Sequence, residues 1–91
     1  MASEREWQDM AKGLLKAEMK RRGLTYEQLS ARLADLEVRE TAVNIRNKVA
    51  RGGFSAAFLL QCLSAMECDT LDLSWMRRQA GARPPSPRPP E

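Results

Sequence analysis

The fold is decided by residues 25–54, which read TYEQLSARLADLEVRETAVNIRNKVARGGF. Thr25 followed three residues later by Gln28 is the pattern of a capping box, in which each side chain binds the other's backbone amide at a helix start. Leucines then follow at the spacing of one helix face, at positions 29, 33 and 36. The stretch therefore opens with an amphipathic helix, which we predict to end near 36–38.

A second helix is predicted over Glu40–Arg51, because a pair of glycines follows it and glycine favours the end of a helix. Ala42, Ile45 and Val49 give this helix one narrow apolar stripe. At about 100° per residue, a different set of side chains lies opposite that stripe. Asparagine can pair with adenine, arginine with guanine, and valine can contact the thymine methyl group. The candidate base-reading residues are Val43, Asn44, Asn47 and Arg51.

Basic and hydroxyl side chains surround this face and suit phosphate contacts, which set position without reading sequence. The candidate phosphate contacts are Lys20, Arg21, Arg22, Arg39, Thr41, Arg46 and Lys48. The chain has a net charge of +3, but Met10–Gly23 carries +4 and Arg39–Gly53 carries +3. Two positively charged segments on a small protein favour binding to a polyanion, although helix faces that are only exposed to solvent show the same charge pattern. The Glu40 carboxylate would repel phosphate, so we expect it either to cap the start of the helix or to accept a hydrogen bond from the amino group of a cytosine.

Two further helices flank this pair in our interpretation. Helix one starts at Glu4 or Trp7 and runs to Arg22, where Gly23 stops it. Helix four starts at Ser55, and no charged residue occurs between Gly52 and Ala65. A helix that is apolar nearly all round is buried on most sides. In a helix-turn-helix DNA-binding motif, one helix supports a second helix after a short turn, and the second helix exposes polar side chains to the DNA. The helices predicted over residues 25–51 have this arrangement.

The composition predicts an all-α fold, a compact bundle of four to five short helices containing the helix-turn-helix. Valine and isoleucine together number four, and the first 83 residues contain no proline. Residues 70–76 fit either a helix or a strand, and we favour an extended segment or one short C-terminal edge strand. We divide the chain into an N-terminal extension of helix one at 1–9, a helix-turn-helix-like domain at 10–76 and a Pro-rich disordered tail at 77–91.

Catalytic and metal sites are not expected. The chain has no histidine, so its serines lack the usual activating base, and two cysteines alone cannot form an ordinary zinc site. We therefore predict no enzyme activity, no cofactor, no metal and no small-molecule ligand. No apolar run approaches the ~20 residues of a membrane span, and Met1–Asp9 is too polar for a signal peptide. We expect a cytoplasmic protein that does not enter membranes.

The stretch Leu15–Leu29, LKAEMKRRGLTYEQL, resembles the opening of the Cro/CI-type (lambda-repressor-like) helix-turn-helix family. Arg51-Gly52 and the Phe54–Leu63 segment resemble that family's glycine and buried fourth helix. Most closely, Leu14 to about Leu73 is similar to a bacterial, helix-turn-helix-like domain family of unknown function. The resemblance implies binding to double-stranded DNA. Ala34–Glu37 stands where the family has its turn glycine, and we therefore expect helix two to be a turn longer.

The sequence is consistent with two functions. The first is a small DNA-binding transcriptional regulator that acts as a homodimer, because two-fold symmetry places two reading helices one DNA turn apart. Trp7, Trp75 and the Leu71–Met76 region are its candidate interface. The second is a protein-protein interaction adaptor that uses helix four or Leu71–Met76 and does not bind DNA. Steep loss of affinity with added salt would distinguish the first from the second.

Overall fold

The structure is a computed structural model, and it describes residues 2–75. Within that range the chain forms α1 (Glu4–Arg22), α2 (Tyr26–Asp35), α3 (Ala42–Arg51) and α4 (Ala56–Ala65). No strand occurs in the described part, so the predicted all-α class is confirmed. The tail predicted at 77–91 lies outside the described residues.

Hydroxyl side chains cap the start of every one of these helices, as the sequence suggested for α2. The predicted capping box is present: the Gln28 amide donates to Thr25 Oγ1 at 3.1 Å, and the Thr25 amide donates to Gln28 Oε1 at 2.8 Å. Thr41 caps α3 by accepting from the Asn44 amide at 3.0 Å. The prediction that α3 begins at Glu40 was therefore two residues early, because the threonine and not the glutamate satisfies the free amides.

The core lies where the apolar faces of the four helices meet. Ile45 and Val49 of α3 are almost completely buried, which confirms the narrow apolar stripe. The largest buried neighbours from the other helices are Leu15, Leu29, Leu33, Cys62 and Met66. As predicted, α4 is buried on most sides, since Phe58, Cys62, Leu63 and Ala65 are buried and Leu59 and Gln61 are partly buried. Leu60 is 63% exposed, because nothing in the described chain covers the one outer face of α4.

In the turn between α2 and α3, a glutamate stands in place of the expected glycine and adopts the left-handed backbone conformation. Glu37 has φ 61°, its amide donates to the Ala34 carbonyl, and the Val38 amide donates to the Leu33 carbonyl, both at 2.9 Å. These two bonds form a Schellman motif, the usual way to satisfy the last carbonyls of a helix. The helix ends at Asp35, so it is not the longer helix that the missing glycine predicted.

We expect Glu37→Gly to stabilise the protein. A side chain in the left-handed region costs about 1–2 kcal/mol, whereas glycine loses about 0.5–1 kcal/mol of extra entropy on folding. The net gain of about 0.5–1 kcal/mol should raise the melting temperature by about 2–8 °C, measured by circular dichroism. Glu67→Gly tests the same effect after α4, where φ is 57°. Glu27→Gly, inside α2, should destabilise, and a lower melting temperature for Glu37→Gly would contradict the argument.

The segment after α4 is not the predicted strand. Leu71–Leu73 has no regular structure, and Ser74 and Trp75 are helical. The Asp72 carboxylate accepts from the Ser74 amide at 2.9 Å and from its hydroxyl at 2.7 Å, which favours a turn into a helix. A single strand is not stable without a partner strand, and the described chain supplies none.

Candidate functional site

The outer face of α3 presents the four predicted base-reading side chains together. Val43, Asn44, Asn47 and Arg51 are all exposed, and Val43 has 57% of its surface accessible. At about 100° per residue they occupy about 100° of arc, opposite the buried Ile45 and Val49. None of the three polar side chains forms a hydrogen bond or ion pair within residues 2–75, so their amide and guanidinium groups are free to bind a ligand.

Three polar contacts fix the position of α3 relative to α1, α2 and the turn that precedes it. The Ser30 hydroxyl on α2 donates to the Glu40 carbonyl oxygen at 2.6 Å, which fixes the turn that leads into α3. The Lys48 ammonium pairs with the Glu40 carboxylate and joins the middle of α3 to the same turn. At the other end, Lys12 Nζ on α1 donates to the Ala50 carbonyl oxygen at 3.2 Å. These contacts orient the helix while leaving its outer face uncovered.

Glu40 thus does not have the capping role that its sequence position suggested. Thr41 is the cap, and the carboxylate is held by Lys48 with only 13% of the Glu40 side chain exposed. A carboxylate that is neutralised and largely covered repels a nearby phosphate much less than an exposed one. Glu40 therefore helps to hold α3 in place.

Several of the predicted phosphate contacts are exposed around this face. Arg39 has no ion pair within the described residues, and Lys20 is exposed in the last turn of α1. The Arg46 guanidinium lies 5.7 Å from the centre of the Tyr26 ring, a cation–π distance that orients it. The Thr41 hydroxyl accepts from a backbone amide and keeps its own hydrogen to donate. Arg21 pairs with Glu18 at 3.2 Å, but its side chain is 68% exposed.

Arg22 and Lys48 differ from the other candidates because protein groups already bind them. Arg22 Nε donates to the Met66 carbonyl oxygen at 2.9 Å, and its Nη1 donates to Glu18 Oε1 at 2.7 Å. Lys48 pairs with Glu40, and its Nζ lies 4.9 Å from the centre of the Phe58 ring. Both side chains are engaged within the protein, so they are not available to bind phosphate.

Glu18 is the one buried charged residue of the described chain, with 3% of its surface exposed. Its carboxylate accepts from Arg22, pairs with Arg21 and lies 3.5 Å from Cys68 Sγ. The hydrogen bond from Arg22 is the main reason why the pKa of Glu18 lies below its ordinary value of 4.5, against the opposing effect of burial. Through Arg22, this cluster ties the end of α1 to the end of α4.

Glu18→Gln should destabilise the protein by about 1.5–3 kcal/mol at pH 7, the usual value of hydrogen bonds to a charged group. Because folding lowers the pKa of Glu18, its stabilising effect is complete above about pH 4.5 and is lost as the pH falls through the lower folded-state value. The difference between parent and variant in urea unfolding should therefore shrink from pH 7 to pH 3. Glu27→Gln, at an exposed position, is the control, and a difference independent of pH would contradict the prediction.

The two cysteines belong to no disulfide and to no metal-binding cluster in the described part of the chain. Cys62 and Cys68 are free, and burial raises the pKa of the Cys62 thiol to about 12. Cys62 therefore stays protonated and packs as a small apolar residue. No cluster of three or more metal-binding side chains occurs between residues 2 and 75. No helix in that range combines the length and apolar character needed to cross a membrane.

The residues that hold the site in place were not among those predicted. Glu18 could have been found from the sequence, because an arginine four positions later is the spacing of a helical ion pair, and apolar residues flank it at 15 and 19. Ser30 and Lys12 gave no comparable signal, because each bonds a backbone carbonyl that is distant in sequence. Such contacts depend on how the helices pack.

Comparisons with known proteins give one match. No curated protein and no solved structure matches this chain. A family model described as a domain of unknown function, DUF6471, matches residues 7–71, which include all four helices except the first turn of α1. Since that match covers well over half of the 91 residues, the chain belongs to the DUF6471 family.

Proposed function

We propose that this protein is a small DNA-binding regulator that reads the major groove with α3. The observation that carries the proposal is the two-sided character of that helix. Ile45 and Val49 are buried on one side, while Asn44, Asn47 and Arg51 are exposed and unpaired within the described chain on the other. Amide and guanidinium groups are the side chains that pair bidentately with adenine and guanine.

The dimensions and surroundings of α3 support the same function. A helix of ten residues is about 15 Å long, and the major groove is about 12 Å wide and accepts one helix. Arg39 on the turn, Arg46 on the flank of α3 and Lys20 at the end of α1 are exposed, where we expect the DNA backbone beside the groove to lie. Base edges would then be contacted by the face of α3, and phosphates by its surroundings.

We further propose that the protein acts as a homodimer in the cytoplasm. Two copies related by a two-fold axis read half-sites one helical turn apart, which gives a ten-residue reading helix enough contacts for selectivity. The outer face of α4 is available for such pairing, because it has no charged residue and its Leu60 is 63% exposed. Of the interface residues predicted from the sequence, Trp7 is 47% and Leu73 43% exposed, whereas Trp75 is half-buried.

The test is selection of bound sequences from a random pool of DNA duplexes at two salt concentrations. Enrichment of one sequence supports the proposal, and an enriched palindrome also supports the homodimer. A steep salt dependence without enrichment would indicate binding to any duplex, and α3 would then not read bases. Failure to bind any duplex at low salt would overturn the proposal.

A protein-protein interaction adaptor is the second candidate, and the same outer face of α4 favours it. Leu60 lies there among small exposed residues, a composition that suits contact with another protein as well as with a second copy. The two functions predict different responses to salt. An apolar contact through α4 should change little between low and high salt, whereas DNA binding should weaken steeply.

A further inference from the structure

One face of α1 is acidic in the first half of the helix and basic in the second half. Glu6, Asp9, Gly13, Lys16 and Lys20 lie within about 80° of arc at about 100° per residue. The four charged side chains are exposed, and none of them forms an ion pair in the described part of the chain. Asp9 and Lys16 are about 10 Å apart along the helix, too far to pair with each other. The face therefore offers charges of both signs to a partner.

The centre of this face lacks charge and includes an aromatic ring. Gly13 lies midway along the chain between Glu6 and Lys20. The half-buried Trp75 ring lies beside it, 4.0 Å from the position that a Cβ atom on Gly13 would take. Because Gly13 has no side chain, another helix can approach the backbone of α1 closely at this point. An aromatic centre with charged residues around it is the usual composition of an interface between proteins.

We propose that this face of α1 binds the same face of a second copy, with the two helices antiparallel and the two-fold axis beside Gly13. The inference rests on the proposed homodimer and names its surface. Antiparallel helices that cross at Gly13 place Glu6 opposite Lys20 of the second copy, and Asp9 next to Lys16 of the second copy. Two-fold symmetry repeats both contacts, because each copy contributes the same residues. A parallel arrangement would instead place like charges together.

This pairing leaves α3 uncovered. The end of α3 approaches α1 at Gln8, next to Gly52, and at Lys12, which binds the Ala50 carbonyl oxygen. Gln8 and Lys12 point about 100° away from the centre of the charged face, so a second copy bound there does not lie over α3. The outer face of α4 has no charged residue, and its composition does not determine the direction of a second helix. Charge complementarity therefore favours α1 over α4 as the dimer surface.

The test is an exchange of charges in the full chain, followed by sedimentation velocity without DNA. One variant replaces Glu6 and Asp9 by lysine, and the other replaces Lys16 and Lys20 by glutamate. Each variant alone places like charges opposite each other, so its dimer dissociation constant should rise at least about tenfold. An equimolar mixture should form a heterodimer, because a basic face then meets an acidic one. A heterodimer also shows that the first variant folds without the contact between the Ser3 amide and Glu6.

The matched control replaces Glu27 and Asp35 by lysine, which makes the same charge change at two exposed positions of α2 and should leave the dimer intact. Leu60→Glu, on the outer face of α4, should also remain dimeric, and loss of its dimer would overturn the inference in favour of α4. A monomeric parent, charge variants that each remain dimeric, or a mixture without heterodimer would likewise overturn it.

The selectivity ratio, which is the affinity for a selected duplex divided by that for a random duplex, separates this inference from the proposed function. A ratio well above one in a protein that does not dimerise through α1 would overturn the α1 interface and leave base reading by α3 standing. A dimer that responds to the charge exchange as expected but binds no duplex would support the α1 interface and overturn the proposed function.

Discussion

Replacing Asn47 and Arg51 together by alanine should remove most of the protein's preference for its selected DNA sequence. A bidentate contact to a base contributes about 1–3 kcal/mol of discrimination, so the loss of two contacts corresponds to at least about a thirtyfold fall in the selectivity ratio. Competition between selected and random duplexes in a fluorescence binding experiment measures that ratio directly. Residual affinity for random duplex should persist, since phosphate contacts do not depend on these two residues.

The double variant should fold as the parent does. Both side chains are exposed and make no polar contact within the described residues, and alanine is the most favourable residue in a helix. Circular dichroism should therefore show unchanged helicity and an equal or higher melting temperature. Arg5→Ala is the matched control, because Arg5 is an exposed arginine of α1 without an ion pair in that range. Equal selectivity ratios for parent and double variant would show that α3 is not the reading helix.

The start of α2 and the end of α3 were predictable because local chemistry determines them. Thr25 with Gln28 starts α2, and the glycine after Arg51 ends α3, both through backbone groups within a few residues. The exposed face of α3 followed from the same spacing that buries Ile45 and Val49. Where a cap, a stop and an apolar stripe agree, the sequence is sufficient to place a helix and its outward side chains.

The partners of the charged side chains were not predictable in the same way. Lys48 and Arg22 have the spacing of surface residues, yet Lys48 holds Glu40 and Arg22 holds the Met66 carbonyl oxygen at the end of α4. These contacts depend on the angles at which helices pack, which hydrophobic periodicity does not encode. The left-handed conformation of Glu37 is a similar case, since glycine is the usual residue there and its absence suggested a longer helix.

The close approach of α1 to the end of α3 depends on Gly52. This residue has φ 72°, and a Cβ atom placed on it would lie 2.6 Å from the backbone oxygen of Gln8 and 3.0 Å from its carbonyl carbon. A backbone oxygen cannot rotate away as a side chain can, so any substitution must move one helix relative to the other. Gly23, at the end of α1, has a similar φ of 64°, but no atom lies within 4 Å of the position that its Cβ would take.

Gly52→Ala should therefore cost far more stability than Gly23→Ala. Each variant places a side chain in the left-handed region, which costs about 1–2 kcal/mol. Gly52→Ala adds overpacking against Gln8, which typically costs about 1–3 kcal/mol more. The total of about 2–5 kcal/mol approaches the ~3–5 kcal/mol that a core of this size supplies, so a large fraction of the variant should be unfolded without denaturant. Urea unfolding followed by circular dichroism measures both variants.

The same substitution links the packing of α3 to the proposed reading function. Arg51 directly precedes Gly52, and Lys12 binds the Ala50 carbonyl oxygen next to it, so a shift at this contact also moves the last turn of α3. The fraction of Gly52→Ala that remains folded should therefore have a lower selectivity ratio, whereas Gly23→Ala should keep the ratio of the parent. Equal losses of stability in the two variants would show that Gln8 yields to the added methyl group, and the packing of α1 on α3 would then not orient Arg51.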